Sequence, residues 1–226
     1  MFLPLKDDNP TSTFPLFTIG LILANGFVFY HQMSLDAVES QNFIFKWGAT
    51  PYQILHGKVL REFPEIPLPL TIFSSMFVHG GFLHLFGNML YLWIFGNNIE
   101  DTLGHFRFLF FYLVCGLVAG LAQVYSNPGS TAPMIGASGA VAGVLGAYLL
   151  LFPGARILTL LFIFIFIKFI RLPALIVLGF WFLIQLLGVW GGSISNVAFF
   201  AHVGGFLAGL ILIKIFQPKR SRRRRY

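Results

Sequence analysis

Six long apolar stretches divide this chain, at roughly 14–31, 80–96, 106–125, 133–152, 173–190 and 197–216. A helix rises 1.5 Å per residue and needs about 17–25 apolar residues to cross a bilayer. Each stretch meets that length or nearly meets it. The pattern predicts an all-α, polytopic membrane helix bundle of six transmembrane helices, residues 1–216, with a basic tail at 217–226. The longest connection, 32–79, is too long for a bare turn. It mixes Phe43, Phe45, Trp47, Tyr52 and Phe63 with Pro51, Pro64, Pro67 and Pro69. That mixture suits a loop lying in the membrane interface, where aromatic rings prefer to sit. The stretch 157–170 is also apolar. Counting it as a seventh span would put Lys168 and Arg171 outside, so a buried or interfacial segment is expected there.

Composition agrees with the pattern. The 226 residues are 57% hydrophobic and only 10% charged, with mean hydropathy +0.79, whereas soluble domains carry about 25% charged residues. The one cysteine, Cys115, allows no internal disulfide. The first 15 residues hold Lys6 but also Asp7, Asp8 and three prolines, unlike a cleavable signal peptide. The pI near 9.8 does not argue for nucleic acid, because much of the positive charge lies in Lys219, Arg220 and Arg222 to Arg225. Beside a membrane span, such a cluster fixes topology or meets lipid headgroups. It places the tail in the cytoplasm and, six spans back, the N-terminus too. The short loops 123–132 and 191–196 lack Lys and Arg and fall outside. Arg107, Arg156, Lys168 and Arg171 fall inside, and only the long first loop, with Lys46, Lys58 and Arg61, departs from the bias.

This topology brings four polar residues to one depth. The second, fourth and sixth spans all start on the outer side. Ser138 and His202 lie about five residues into the fourth and sixth; His84 lies about four into the second, with Asn88 one turn deeper. All four are then roughly 5–12 Å below the outer face. A lone serine in a glycine-rich span more often bonds back to its own helix, and a lone asparagine often serves an interhelical contact. A histidine in a span is by default a functional candidate, and the shared depth extends that to the set. Gly136, Gly139, Gly143 and Gly146 line the fourth span, and Ala201, Gly205 and Gly209 recur by four on the sixth. Small residues at that spacing let helices approach closely in lipid, which would bring Ser138 to His202.

A hydroxyl beside an imidazole points to acyl transfer, with His202 as general base and Ser138 as nucleophile. The carboxylates, Asp7, Asp8, Asp36, Glu39, Glu62, Glu65, Glu100 and Asp101, lie outside the span cores. The pair therefore reads as a dyad without an anionic third member, its histidine oriented by packing or neutral hydrogen bonds. His84 and Asn88, four apart on one helix face, carry donors for an oxyanion, and the Ser138 N–H could add another. No H-E-x-x-H pattern exists among His31, His56, His79, His84, His105 and His202, which sets aside a zincin-type metalloprotease. No aspartate pair lies within a span for an aspartyl protease. A proton-coupled transporter would want a mid-membrane carboxylate.

At these residues the chain resembles the rhomboid family of intramembrane serine proteases. The matching pieces are Gly136-Ala137-Ser138-Gly139, Ala201-His202 followed by Gly205 and Gly209, and His79 with His84-Leu85-Phe86-Gly87-Asn88. The opening Pro4-Leu5-Lys6-Asp7-Asp8-Asn9-Pro10 and the stretch 96–107, with Glu100 and Gly104, are similar too. The resemblance implies Ser138 as nucleophile, His202 as base, His84 and Asn88 at the oxyanion, and a structural part for His79. It implies cleavage of single-span membrane proteins near the outer end of the substrate helix, with small residues preferred at the cut and no metal or other cofactor. Partners would be transmembrane substrates and the bilayer, with no nucleic acid. Water would enter from the outer face, and the fifth span with its following loop, 173–196, would gate substrate entry. Two family features differ. The first loop has Leu60-Arg61 where a Trp-Arg pair is common, so its anchoring is open. Ala142 stands four residues after the serine, where some members stack a tyrosine on the base, so another group must hold the His202 ring.

The main alternative is a non-catalytic member of the same fold that binds or traffics membrane proteins; such proteins typically lose the serine or the histidine. A small-solute channel would need a continuous polar path, and the inner halves of the fourth and sixth spans are almost wholly apolar. The bare six-span architecture suggests a bacterial inner membrane, with a eukaryotic organelle as the alternative. Oligomeric state is unknown, since the small-residue faces serve equally within the bundle or between copies.

Overall fold

The computed structural model describes residues 2–60, 67–163, 166–191 and 197–218. Arg61, most of the 191–196 loop and all but the start of the basic tail lie outside the described residues. The six expected helices are all present: α1 (Leu16–Ser34), α5 (Phe82–Leu103), α6 (His105–Ser126), α7 (Ser138–Leu151), α8 (Ala174–Trp190) and α9 (Phe199–Phe216). Between α1 and α5 the long connection folds into the short helices α2 (Ala37–Trp47), α3 (Pro51–His56) and α4 (Thr71–Ser74).

The expected number of crossings is not settled by helix length. By length and hydropathy α1, α6 and α9 suffice to span a membrane, and a fourth span arises if Leu68–Phe77 and α5, bent by 84°, are taken together. Helices α7 and α8 have 14 and 17 residues. α7 is short because it starts at Ser138, five residues later than the apolar pattern suggests. Before it Met134 is bridged to Ala49, and Gly136 takes φ +113°, a conformation closed to most other residues.

The all-α expectation is corrected by a small antiparallel sheet, ordered β1 (Phe2–Asp7), β2 (Arg156–Ile163), β3 (Phe166–Pro173). The stretch 157–170 contributes the antiparallel pair β2 and β3. Its alternation is visible in Ile157 and Thr159, both fully buried between less buried neighbours, as a strand's period of two requires. In β1 a bulge at Leu5 inserts one residue between paired Pro4 and Lys6. The extra residue lets Pro4 and Asp7, three apart, both face inward.

The centre of the bundle is α7 against α9, its most extensive helix contact. A Cβ on Gly205 would run into the carbonyl of Gly139, one on Gly209 into that of Gly143, and one on Gly146 into that of Phe206. These two backbones touch, with α6 packed across both. Beside them α5 and α6 are joined by Gly104 alone, at φ +79°. Glu100, fully buried near the end of α5, caps α1: it accepts from the N–H groups of Phe17 and Thr18 (2.9 and 2.8 Å) and the Thr18 hydroxyl (2.7 Å). That tie satisfies orphan donors at the helix start and fixes α1 to α5.

Candidate active site

Ser138 is the first residue of α7, and His202 lies in the first turn of α9. The glycine contact brings those two helix starts side by side, and Ser138 Oγ lies 2.8 Å from His202 Nε2. Ala201 beside His202 is held by its own N–H, which donates to Gln123 Oε1 of α6 at 3.3 Å. Both side chains are half-buried and line a cavity of about 710 Å³, bounded on its far side by His84, Asn88 and Tyr91 of α5.

On α5 the tautomer of His84 can be assigned. The Gly80 N–H donates to His84 Nδ1 (3.4 Å), so Nδ1 is the acceptor and Nε2 carries the proton. That Nε2 points at Gly136: a Cβ there would sit 2.6 Å from it and 3.6 Å from Asn88 Nδ2. Asn88, buried, gives one amide N–H to the His84 carbonyl (3.1 Å), leaving its second to face the cavity. Donors of both residues therefore converge on the backbone just before Ser138. His79 stands behind: it is fully buried, its ring meets His84 edge-on at 5.1 Å, and its carbonyl accepts from Gln32 of α1 (2.8 Å).

The ring of His202 is held from α8. Its Nδ1 lies 2.8 Å from Gln185 Oε1, and Trp181 lies beside it with centroids 5.8 Å apart and planes at 37°. Neither residue was among the sequence candidates. A signal existed: Gln185 is the sole amide in an otherwise apolar helix, and buried polar groups in a span are functional candidates.

The structure also answers how the first loop is anchored without a Trp-Arg pair. Ala49 and Met134 exchange both backbone hydrogen bonds (3.0 and 2.9 Å), Tyr52 N–H donates to the Ser130 carbonyl (3.0 Å), and Gly136 N–H to the Ser75 carbonyl (2.8 Å). The non-helical backbone before Ser138 is thus tied to the long connection at Ser130, Met134 and Gly136. In a bilayer such non-helical backbone is tolerated only when buried in protein or lining a wet cavity.

Comparison with known proteins gives the family. The Rhomboid domain family model matches residues 69–219. Rhomboid protein 1, mitochondrial, of Saccharomyces cerevisiae is 28% identical over 194 residues, 76% of this chain and 50% of that protein. RHOMBOID-like protein 5 of Arabidopsis thaliana is 34% identical over 156 residues, 69% and 47% of the two chains. Rhomboid protease GluP of Bacillus subtilis is 33% identical over 138 residues, 61% and 24%. The chain spans half or less of the length of these relatives. Mitochondrial names recur among them, in yeast, rat and Arabidopsis, so the expected bacterial inner membrane finds no support. A multi-pass membrane protein does, from the spanning helices and the relatives together. The match covers more than half of the chain and takes in α4 to α9, with Ser138, His202, His84 and Asn88 inside it: this chain belongs to the rhomboid family.

Proposed function

We propose that this rhomboid is an intramembrane serine endopeptidase that cleaves single-span membrane proteins near the outer end of their transmembrane helix. The observation that carries the proposal is the 2.8 Å contact of Ser138 Oγ with His202 Nε2 in a cavity shared with His84 and Asn88. His202 takes the serine proton as Oγ attacks the peptide carbonyl, then returns it to the leaving amine; water repeats the sequence to release the acyl group. The oxyanion forms where His84 Nε2–H and Asn88 Nδ2–H converge, and the α7 N-terminus adds backbone N–H groups that have no partner within the helix, at the positive end of its dipole.

The six long helices each cross the membrane in this proposal. α7, at 14 residues, is about 21 Å long against a hydrocarbon core of ~30 Å. With its C-terminal end at the inner face, Ser138 lies about 9 Å inside the lipid layer, and the cavity carries water down to it. Both termini then lie on the inner side.

The test is cleavage of a single-span model substrate by the purified protein in liposomes, beside Ser138→Ala and His202→Ala. Cleavage by the parent alone supports the proposal. Equal cleavage by either variant refutes the dyad. No cleavage and no labelling of Ser138 by a fluorophosphonate, in folded protein, would favour a binding module on the same fold.

A further inference from the structure

We infer that Gln185 is a positioning residue that fixes the tautomer of His202, standing as a neutral third member behind the dyad and tying its competence to the placement of α8. The inference rests on the protease proposal and extends it.

The geometry determines which way the amide points. Gln185 Nε2 donates to the carbonyl of Trp181 at 3.2 Å, and a carbonyl can only accept. The other amide atom, Oε1, therefore faces His202 Nδ1 at 2.8 Å. Oε1 also can only accept, so Nδ1 must carry the proton. His202 Nε2 is then bare and accepts the Ser138 hydroxyl, which is the tautomer a general base needs. A serine triad solves the same problem with a buried carboxylate, which holds the imidazole tautomer and stabilises the imidazolium. Here the amide supplies the orientation without a charge. Among the described residues no Asp or Glu lines this cavity, and the titratable side chains that share it with His202 are His84 and Tyr91, both from α5.

Trp181 and Gln185 stand four apart and so share one face of α8. The first lies against the His202 ring and supplies the carbonyl that orients the second. α8 itself rests on α9, with smaller contacts to α7, β2 and β3, and exposes Ile176, Phe180, Leu183 and Leu187 on its outer side. Among the described residues its extensive packing does not include α5, on the opposite wall of the cavity. Moving α8 outward would withdraw the Gln185 acceptor and free the imidazole to take either tautomer.

The test compares the parent with Gln185→Met, which keeps length and apolar contact but removes the acceptor, and with Gln185→Glu, which keeps an acceptor and adds charge. Three readouts apply: kcat and KM on a model substrate, fluorophosphonate labelling rate of Ser138, and the pH profile of kcat. Gln185→Met should lower kcat and the labelling rate together by about 10–100-fold with KM little changed. Gln185→Glu should recover part of that loss and carry the acid limb of the profile upward by about 1–2 pH units, because a carboxylate beside Nδ1–H stabilises the imidazolium. A folded Gln185→Met enzyme within about threefold of the parent overturns the inference. So does a Gln185→Glu enzyme as impaired as Gln185→Met with an unmoved pH profile, which would mark mere packing. A parent that neither cleaves nor labels sinks the protease proposal, and the inference with it.

Discussion

Gly205 rests directly on the carbonyl of Gly139, so that the residue three places past His202 touches the one next to Ser138. The contact sets the separation of α7 and α9 at the level of the dyad. Any side chain on Gly205 must push the helices apart where a hydrogen bond has only a few tenths of an ångström to spare. Gly205→Ala is expected to lower stability by about 1–3 kcal/mol and activity by at least tenfold. Gly26→Ala on α1, where a Cβ would meet nothing within 4 Å, should leave both close to the parent values. Thermal unfolding and substrate cleavage of the two variants check the pair, and equal behaviour would show that the close approach does not govern the site.

The dyad and the oxyanion donors should separate by magnitude. Ser138→Ala and His202→Ala remove the nucleophile and its base and should cost about 10⁴-fold or more, with the bundle still folded. Asn88→Ala removes one donor of several and should leave residual activity, with a loss of about 3–4 kcal/mol in transition-state stabilisation. His84→Ala should fall in the same range, since its Nε2 faces the same backbone. Single-turnover rates on one substrate rank the four; Asn88→Ala as inactive as Ser138→Ala would contradict the assignment.

Gly136→Ala tests the same corner from the other side. At φ +113° an L-residue is strained, and its Cβ would sit 2.6 Å from His84 Nε2. The variant should lose activity by about 10²-fold or more, with fluorophosphonate labelling slowed as well, because the methyl group occupies the space that the two donors face. Unchanged labelling would mean that the oxyanion forms elsewhere.

Much of this site was legible because it depends on few residues with strong constraints. The glycines at 139, 143, 205 and 209 pointed to a close helix pair, and a buried serine and histidine at one depth pointed to chemistry between them. What escaped was the third contact. In the sequence Gln185 is one amide in an otherwise apolar helix, and only the rotation of α8 about its axis decides whether such a residue meets His202. The start of α7 also differs from the pattern, since 133–137 is as apolar as a helix but is tied at Met134 and Gly136 to Ala49 and Ser75, backbone some 60–85 residues away. The strand pair in 157–170 was hidden for a related reason: a short run apolar at all but Thr159 and Lys168 does not distinguish a strand from a buried helix by periodicity.

At the end of the bundle opposite the dyad, Asp7 sets a pH dependence of stability. Its carboxylate, buried beneath the sheet, accepts from the Tyr148 hydroxyl (2.7 Å) and the Asn98 amide (2.8 Å). Burial nonetheless outweighs those two donors and raises its pKa above the ordinary value. The folded protein then holds the Asp7 proton at pH values where the unfolded chain has lost it. Stability should fall as pH rises through the interval between the unfolded and folded pKa, and level off above it. Below the ordinary carboxylate pKa, near 4, Asp7 contributes no slope. Asp7→Asn keeps an acceptor for the two donors and removes the titration, so it should gain on the parent as pH rises. Melting curves of both proteins from about pH 3 to about pH 8 decide it. A difference that widens in favour of Asp7→Asn towards neutral pH is expected, and one that stays constant or reverses would show that the two hydrogen bonds outweigh burial.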